Sequence, residues 1–120
     1  MIGATLGQVT AGRVEIELPY KLEITQQDGF IHAGISSTVM DSACGYAAYT
    51  LMSAESRVLT IEFKVNLLAP AAGESFRAIG QVRKPGRSVF FAEAELLACQ
   101  DGNERLVATM SGTLMAIHPR

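Results

Sequence analysis

Asp41 stands out for its neighbours. On a wheel at about 100° per residue, its face also carries Gly34, Ser37, Thr38, Cys44, Gly45 and Ala48, all of them small. A stripe of small side chains lets another backbone, or a slim ligand, come close to the carboxylate. The same spacing also suits an aspartate on a solvated face. Gly45 in mid-helix costs roughly 1 kcal/mol relative to alanine, which asks for compensation in packing or function. Upstream lies Gly29-Phe30-Ile31-His32-Ala33-Gly34. Small residues at a helix entry leave the first-turn N–H groups open to a ligand oxygen. Those groups and the helix dipole stabilise negative charge, which is the requirement of an oxyanion hole. His32 at this entry equally suits capping or packing.

The elements that must position these residues follow from the pattern. Residues 12–18 (GRVEIEL) alternate, with Val14, Ile16 and Leu18 on one face, and Pro19 ends this half-buried strand. The mixed stretch 20–31 contains the turn-prone Gln26-Gln27-Asp28-Gly29. From Ala33 to about Ser53 the chain lacks proline and is rich in small residues, which predicts a helix. Its face with Ile35, Val39, Ala43 and Tyr46 is the better core surface. Strands are predicted over 58–68, 75–83, 88–98 and 104–117, with turns at Lys84-Pro85-Gly86-Arg87 and Gln100-Asp101-Gly102-Asn103. One long helix and a mostly antiparallel sheet are both covered only if the sheet wraps the helix.

The whole chain of 120 residues reads as a single domain, 1–120, without repeats or linkers. Hydrophobic residues make up 48% and charged residues 18%, which excludes a disordered or collagen-like chain. A net charge of −2 gives no general attraction to nucleic acid or an anionic membrane. No run approaches the ~18 apolar residues of a membrane span, and MIGATLGQVT lacks the features of a secretion signal. The two cysteines, Cys44 and Cys99, suit reduced thiols more than a disulfide framework, pointing to the cytoplasm. The apolar excess in so short a chain suggests a subunit interface. His32 and His118 lie far apart without ligand spacing, so no metal site is expected. Neither a G-x-S-x-G elbow nor a Cys/His arrangement supports another hydrolase type.

His32-Ala33-Gly34, with Asp41 nine positions after the histidine, resembles the His-Gly-Gly…Asp signature of hotdog-fold acyl-CoA thioesterases. The phenylacetate-pathway and human thioesterase-superfamily branches fit best. Further landmarks stand in register: Thr60-Ile61-Glu62-Phe63, Leu68-Ala69-Pro70-Ala71, Lys84-Pro85-Gly86-Arg87-Ser88, and Asp101-Gly102 before Val107-Ala108-Thr109 and Gly112-Thr113. The likeness runs from about residue 10 to 117. It implies an α+β hotdog fold, a long central helix wrapped by a five- or six-stranded antiparallel sheet. It also implies thioester hydrolysis at a dimer interface without a cofactor. By this resemblance Asp41 is the general base or nucleophile and Thr60 orients the attacking water. The Ala33 N–H binds the thioester oxygen, with His32 and Gln26 flanking it. Ala33 replaces the first glycine of the usual pair, and Gln26 or Gln27 replaces a common asparagine.

Ala33 and Asp41 are eight residues apart, about 12 Å along a helix, whereas nucleophile and oxyanion donor must both lie within about 3 Å of one carbonyl. If both act, Asp41 and Thr60 come from one subunit and His32-Ala33 from another. A homodimer is then obligatory, and the family habit suggests a dimer of dimers. Arg83, Lys84 and Arg87, with Ser88, can supply charge and hydrogen bonds for the phosphates of coenzyme A. The same residues also suit a solvated hairpin. The acyl chain is expected in a pocket lined partly by Met40, Tyr46 and Met52. Alternatives on the same fold are a non-catalytic acyl-CoA-binding module, a hydratase and a purely structural subunit. The pairing of Asp41 with Thr60 argues against the first, and the lack of an Asp-x4-His arrangement against the second.

Overall fold

The computed structural model describes residues 2–26 and 29–119. Gln27 and Asp28, half of the expected 26–29 turn, lie outside the described residues. The elements are β1 (Thr5–Thr10), β2 (Arg13–Pro19), α1 (Ala33–Tyr49), β3 (Arg57–Leu67), β4 (Ser75–Lys84), β5 (Val89–Gln100) and β6 (Asn103–Ile117), with a short 3-10 turn at Leu22–Ile24. The six strands form one antiparallel sheet in the order β1-β2-β4-β5-β6-β3. It wraps α1 as the hotdog arrangement requires. The strand beyond the five read from the pattern is β1, an exposed edge whose TLGQVT has no clean alternation.

Local chemistry explains most of these elements. Val14, Ile16 and Leu18 of β2 are buried, as their alternation requires, and so are Phe90, Ala92, Ala94, Leu96 and Ala98 of β5. Asp101 and Gly102 have φ of 51° and 79°. Positive φ at both centres of a two-residue hairpin matches the right-handed twist of the strands it joins.

The helix corrects the expected face assignment. Its buried residues are Ser36, Val39, Met40, Ala43, Cys44, Ala47 and Ala48, spaced as one helical stripe. Cys44 and Ala48, placed on the Asp41 face above, belong to the core, whereas Tyr46 is exposed. Size decides this rather than hydrophobicity. A Cβ built on Gly80 of β4 would lie 2.5 Å from the Ala43 carbonyl oxygen and 2.7 Å from the Cys44 amide nitrogen. The helix backbone thus rests directly on the sheet, and only small side chains fit beside that contact. Much of the small-residue stripe therefore serves packing. The helix also ends at Tyr49, four residues earlier than expected, with Thr50 Oγ1 accepting from the Gly12 N–H at 2.7 Å and donating to the Ala47 carbonyl at 2.6 Å.

On the sheet's other face, Glu15 accepts from Arg13 and Arg77, each at 2.7 Å, and Arg77 also donates twice to Glu104, at 2.8 and 2.9 Å. The Arg77 and Arg13 guanidiniums hold the Glu15 carboxyl below its usual 4.5, and Arg77 does the same to Glu104.

Two outcomes follow from this packing and this network. Gly80→Ala is expected to destabilise the fold by about 1–3 kcal/mol, read by chemical denaturation at constant m-value; an unchanged midpoint would mean that the helix does not rest on β4. A carboxylate with a depressed folded pKa contributes stability above its ordinary value that is lost as pH falls through the folded value. Arg77→Met should therefore lower stability above about pH 5 and flatten the acid limb of the stability curve below it.

Candidate active site

Asp41 lies in the middle of α1, half-buried, and its Oδ1 accepts a hydrogen bond from Thr60 Oγ1 at 2.9 Å. Thr60 stands immediately before a β-bulge. In the β3–β6 register Thr60 pairs with Leu114 and Glu62 with Thr113, so Ile61 is the extra residue. Strict alternation would put Thr60 on one face with Glu62 and Lys64. The bulge breaks that phase: Thr60 joins Phe63 and Val65, paired with the core residues Gly112 and Met110, on the helix side. The run 58–68 read as a plain alternating strand, and only its excess of apolar residues over one clean face hinted at the irregularity.

Around this pair runs a groove of about 320 Å³ between α1 and the start of β3, lined by Ser42, Gly45, Tyr46, Tyr49, Ser56, Arg57 and Val58 as well as Asp41 and Thr60. Gly45 forms part of its wall. A Cβ there would meet only Leu114 Cδ2, at 4.0 Å, so packing within the chain does not demand a glycine. Arg57 and Ser56 had no signal in the sequence, because each joins the site through the turn into β3. Ser56 Oγ lies 3.3 Å from His118 Nδ1, and His118 Nε2 lies 3.3 Å from the Arg87 carbonyl oxygen. The hairpin Lys84–Arg87 is thereby tied to the end of the groove. Met40 does not line the groove. It is fully buried in the core, which corrects the expectation for the acyl pocket.

The helix entry is a separate place. Ala33 and Gln26 line a second cavity, about 230 Å³, together with Phe30, Ser36, Pro70 and Ala108. Here the Leu68-Ala69-Pro70-Ala71 segment meets the helix start, with the Ile31 N–H donating to the Ala71 carbonyl at 3.0 Å. His32 is the N-cap residue. Its carbonyl accepts from the N–H groups of Ile35 and Ser36, both at 3.0 Å, while its exposed side chain makes no capping hydrogen bond. Ala33 and Gly34 occupy first-turn positions, whose N–H groups have no intrahelical acceptor. Gln26 donates its N–H to the Phe30 carbonyl at 2.7 Å, closing the loop in front of the helix. The described residues that line the two cavities have none in common, so within one chain Asp41 and Ala33 open into different cavities.

Of the expected phosphate-binding cations, Arg83 donates to Glu93 at 2.7 Å on the sheet's outer face. Neither Lys84 nor Arg87 has a carboxylate partner among the described residues. Ser88 accepts from the Ala116 N–H through its carbonyl at 2.7 Å. Cys44, one turn beyond Asp41, is buried, and desolvation reinforced by the charge of Asp41 pushes its thiol up to about 12, too high for a thiolate nucleophile. Among the described residues no cluster could hold a metal ion, and no helix is long and apolar enough to cross a membrane.

Residues 28–104 match the family model described as thioesterase superfamily, a span that includes α1, the bulged strand and the hairpin. The chain belongs to this superfamily. A crystal structure of a thioesterase family protein from Silicibacter pomeroyi superposes with a TM-score of 0.96 at 54% identity, covering 98% of this chain and 87% of that one. A Saccharolobus solfataricus protein, provisionally named an esterase, is 35% identical over 102 residues, covering 85% of this chain and 70% of its own. A Bacillus halodurans protein crystallised with CoA shares the fold at lower identity (TM-score 0.78, 21% identity, 86% of this chain and 66% of that one). The expected hotdog thioesterase relationship thus holds, and membership supports thioester hydrolysis as the general chemistry.

Proposed function

We propose that this protein hydrolyses acyl-CoA thioesters to a free acid and coenzyme A. The observation that carries the proposal is the Thr60–Asp41 hydrogen bond at the wall of an open groove, in a thioesterase-superfamily chain. Thr60 holds one carboxylate oxygen of Asp41 and leaves the other for chemistry. That oxygen either takes a proton from water as the water attacks the thioester carbonyl, or attacks the carbonyl itself. Negative charge then gathers on the carbonyl oxygen. The partner subunit's Ala33 stabilises it through its N–H, at the positive end of a helix, with His32 and Gln26 at the same entry. Collapse of the intermediate expels the CoA thiolate, which takes up a proton; where Asp41 itself has attacked, water then cleaves the resulting mixed anhydride, releasing the acid and restoring the carboxylate.

The separation of the two cavities supports a homodimeric site, and the sheet offers the means. Its free edge β3 is 11 residues long and exposes Leu59, Ile61, Phe63 and Leu67. A long apolar edge is a liability unless it pairs, and antiparallel pairing with a second copy satisfies two-fold symmetry. A dimer of dimers follows the family habit. Lys84, Arg87 and Ser88, with Arg83 beside them, form the CoA phosphate site at the hairpin, in keeping with the CoA bound by the Bacillus halodurans relative. Two unpaired thiols favour the reducing cytoplasm.

Thiol release from a panel of acyl-CoAs tests the chemistry. Asp41→Asn should lose at least about 10²-fold in kcat with the fold and assembly intact. Binding of acyl-CoA without turnover by the wild type would instead make this a binding module.

Proline at the first helical position is well tolerated and lacks only the N–H. His32, with φ −56° and ψ 138°, already has the extended backbone that a following proline requires. Ala33→Pro should therefore cost about 10²- to 10³-fold without unfolding the protein. Mixed dimers of Ala33→Pro and Asp41→Asn chains should regain activity, because one of their two sites is whole. No recovery on mixing would exclude a shared site.

A further inference from the structure

We infer that the crevice between α1 and β1 is a subsite for the far end of an aliphatic acyl chain, with Tyr46 as the side chain that sets how long a chain must be to reach it. The inference rests on the thioesterase reading above. Two openings flank the exposed ridge of α1. One is the groove of Asp41 and Thr60. The other, about 190 Å³, lies on the β1 side and is walled by Ile2, Leu6, Ile16 and Val39. Ser42 and Tyr46 line both. They stand one helical turn apart on the same ridge, and the larger of them, Tyr46, is 50% exposed.

The two groove tyrosines differ in freedom. Tyr49 is fixed by its hydroxyl, which donates to the Ala54 carbonyl at 2.8 Å. The Tyr46 hydroxyl has no hydrogen-bond partner among the described residues, so its ring moves between rotamers without breaking a bond. The crevice also defines its occupant. Its walls carry no charge, and the Thr38 hydroxyl at its rim already donates to the Gly34 carbonyl at 2.8 Å. An ionised acyl end would lose its hydration there and find no counter-charge, whereas methylenes lose nothing. At ~30 Å³ per carbon-sized unit, comparable to the share of a liquid water molecule, the space suits about six carbons. The path over the ridge spans about 5–6 Å more. The class of substrate is therefore a medium-length acyl chain with an uncharged end, whose thioester carbon sits at Asp41 and whose tail passes Tyr46.

Straight-chain acyl-CoAs from acetyl to dodecanoyl, assayed with wild type, Tyr46→Ala, Tyr46→Phe and Leu6→Arg, test this. The readout is the ratio of kcat/KM for octanoyl-CoA to that for acetyl-CoA. Leu6→Arg, which puts a charge into the crevice from an exposed strand position, should lower the ratio about tenfold. Tyr46→Ala should lower by two or more carbons the chain length at which kcat/KM rises, and Tyr46→Phe should keep the wild-type profile, because bulk rather than the hydroxyl is at work. Equal effects on all chain lengths, or none, would overturn the subsite while leaving thioesterase chemistry in place. If the wild type turns over no thioester, the functional reading fails. The subsite is then decided by calorimetry with an S-octyl-CoA thioether: binding that Leu6→Arg weakens about tenfold sustains it, and absent or unaffected binding overturns it.

Discussion

The close approach of α1 to the sheet at Gly80 is the constraint from which the rest of the molecule follows. With no side chain at that point, the backbone around Ala43 and Cys44 lies directly on β4. Neighbouring core positions on the helix must then be small, and Ala43, Cys44, Ala47 and Ala48 are. Fixing the buried stripe fixes the rotation of the helix. Asp41 consequently falls beside the stripe, half-buried, facing the margin where the sheet ends at β3. Chemistry needs that intermediate position: deep burial would neutralise the carboxylate or require a counter-charge, and full exposure would leave it unoriented.

The margin itself is shaped by the bulge at Ile61. Thr60, in hydrogen-bond reach of Asp41, precedes the bulge, and the one extra residue brings Phe63 and Val65 beyond it onto the same face while β3 keeps its ladder to β6. The same strand is the sheet's free apolar edge. Thr60 and the exposed apolar edge are thus parts of one strand, so in the proposed dimeric site the pairing of subunits and the completion of the site would be coupled. The far end of the helix serves a different purpose. Its first-turn N–H groups open into a cavity closed by the Pro70 turn and by Gln26, about 12 Å from Asp41 by helix geometry.

Charge is distributed to match. The Arg13–Glu15–Arg77–Glu104 network ties strands together on the face away from the helix. Lys84 and Arg87, by contrast, have no carboxylate partners among the described residues at a hairpin tip that His118 and Ser56 connect to the groove.

Much of this was legible in the residues. The alternation of Val14, Ile16 and Leu18, the tight turn at Asp101-Gly102, and the proline-free stretch from Ala33 determined strands, hairpin and helix, because these are local consequences of side-chain period and backbone φ. Asp41 stood out by type and spacing, and the resemblance to hotdog thioesterases singled out Thr60 and Ala33. What the helix presents to the core was not. Small residues suit both a ligand and a closely packed sheet, and only the position of Gly80, 37 residues beyond Ala43 in the chain, decides between them. The phase of β3 beyond Thr60 was equally hidden, since a bulge is a mismatch between two strands and belongs to neither sequence alone. Local chemistry determined which groups this protein has to work with; the packing of one helix and one irregular strand decided which of them meet.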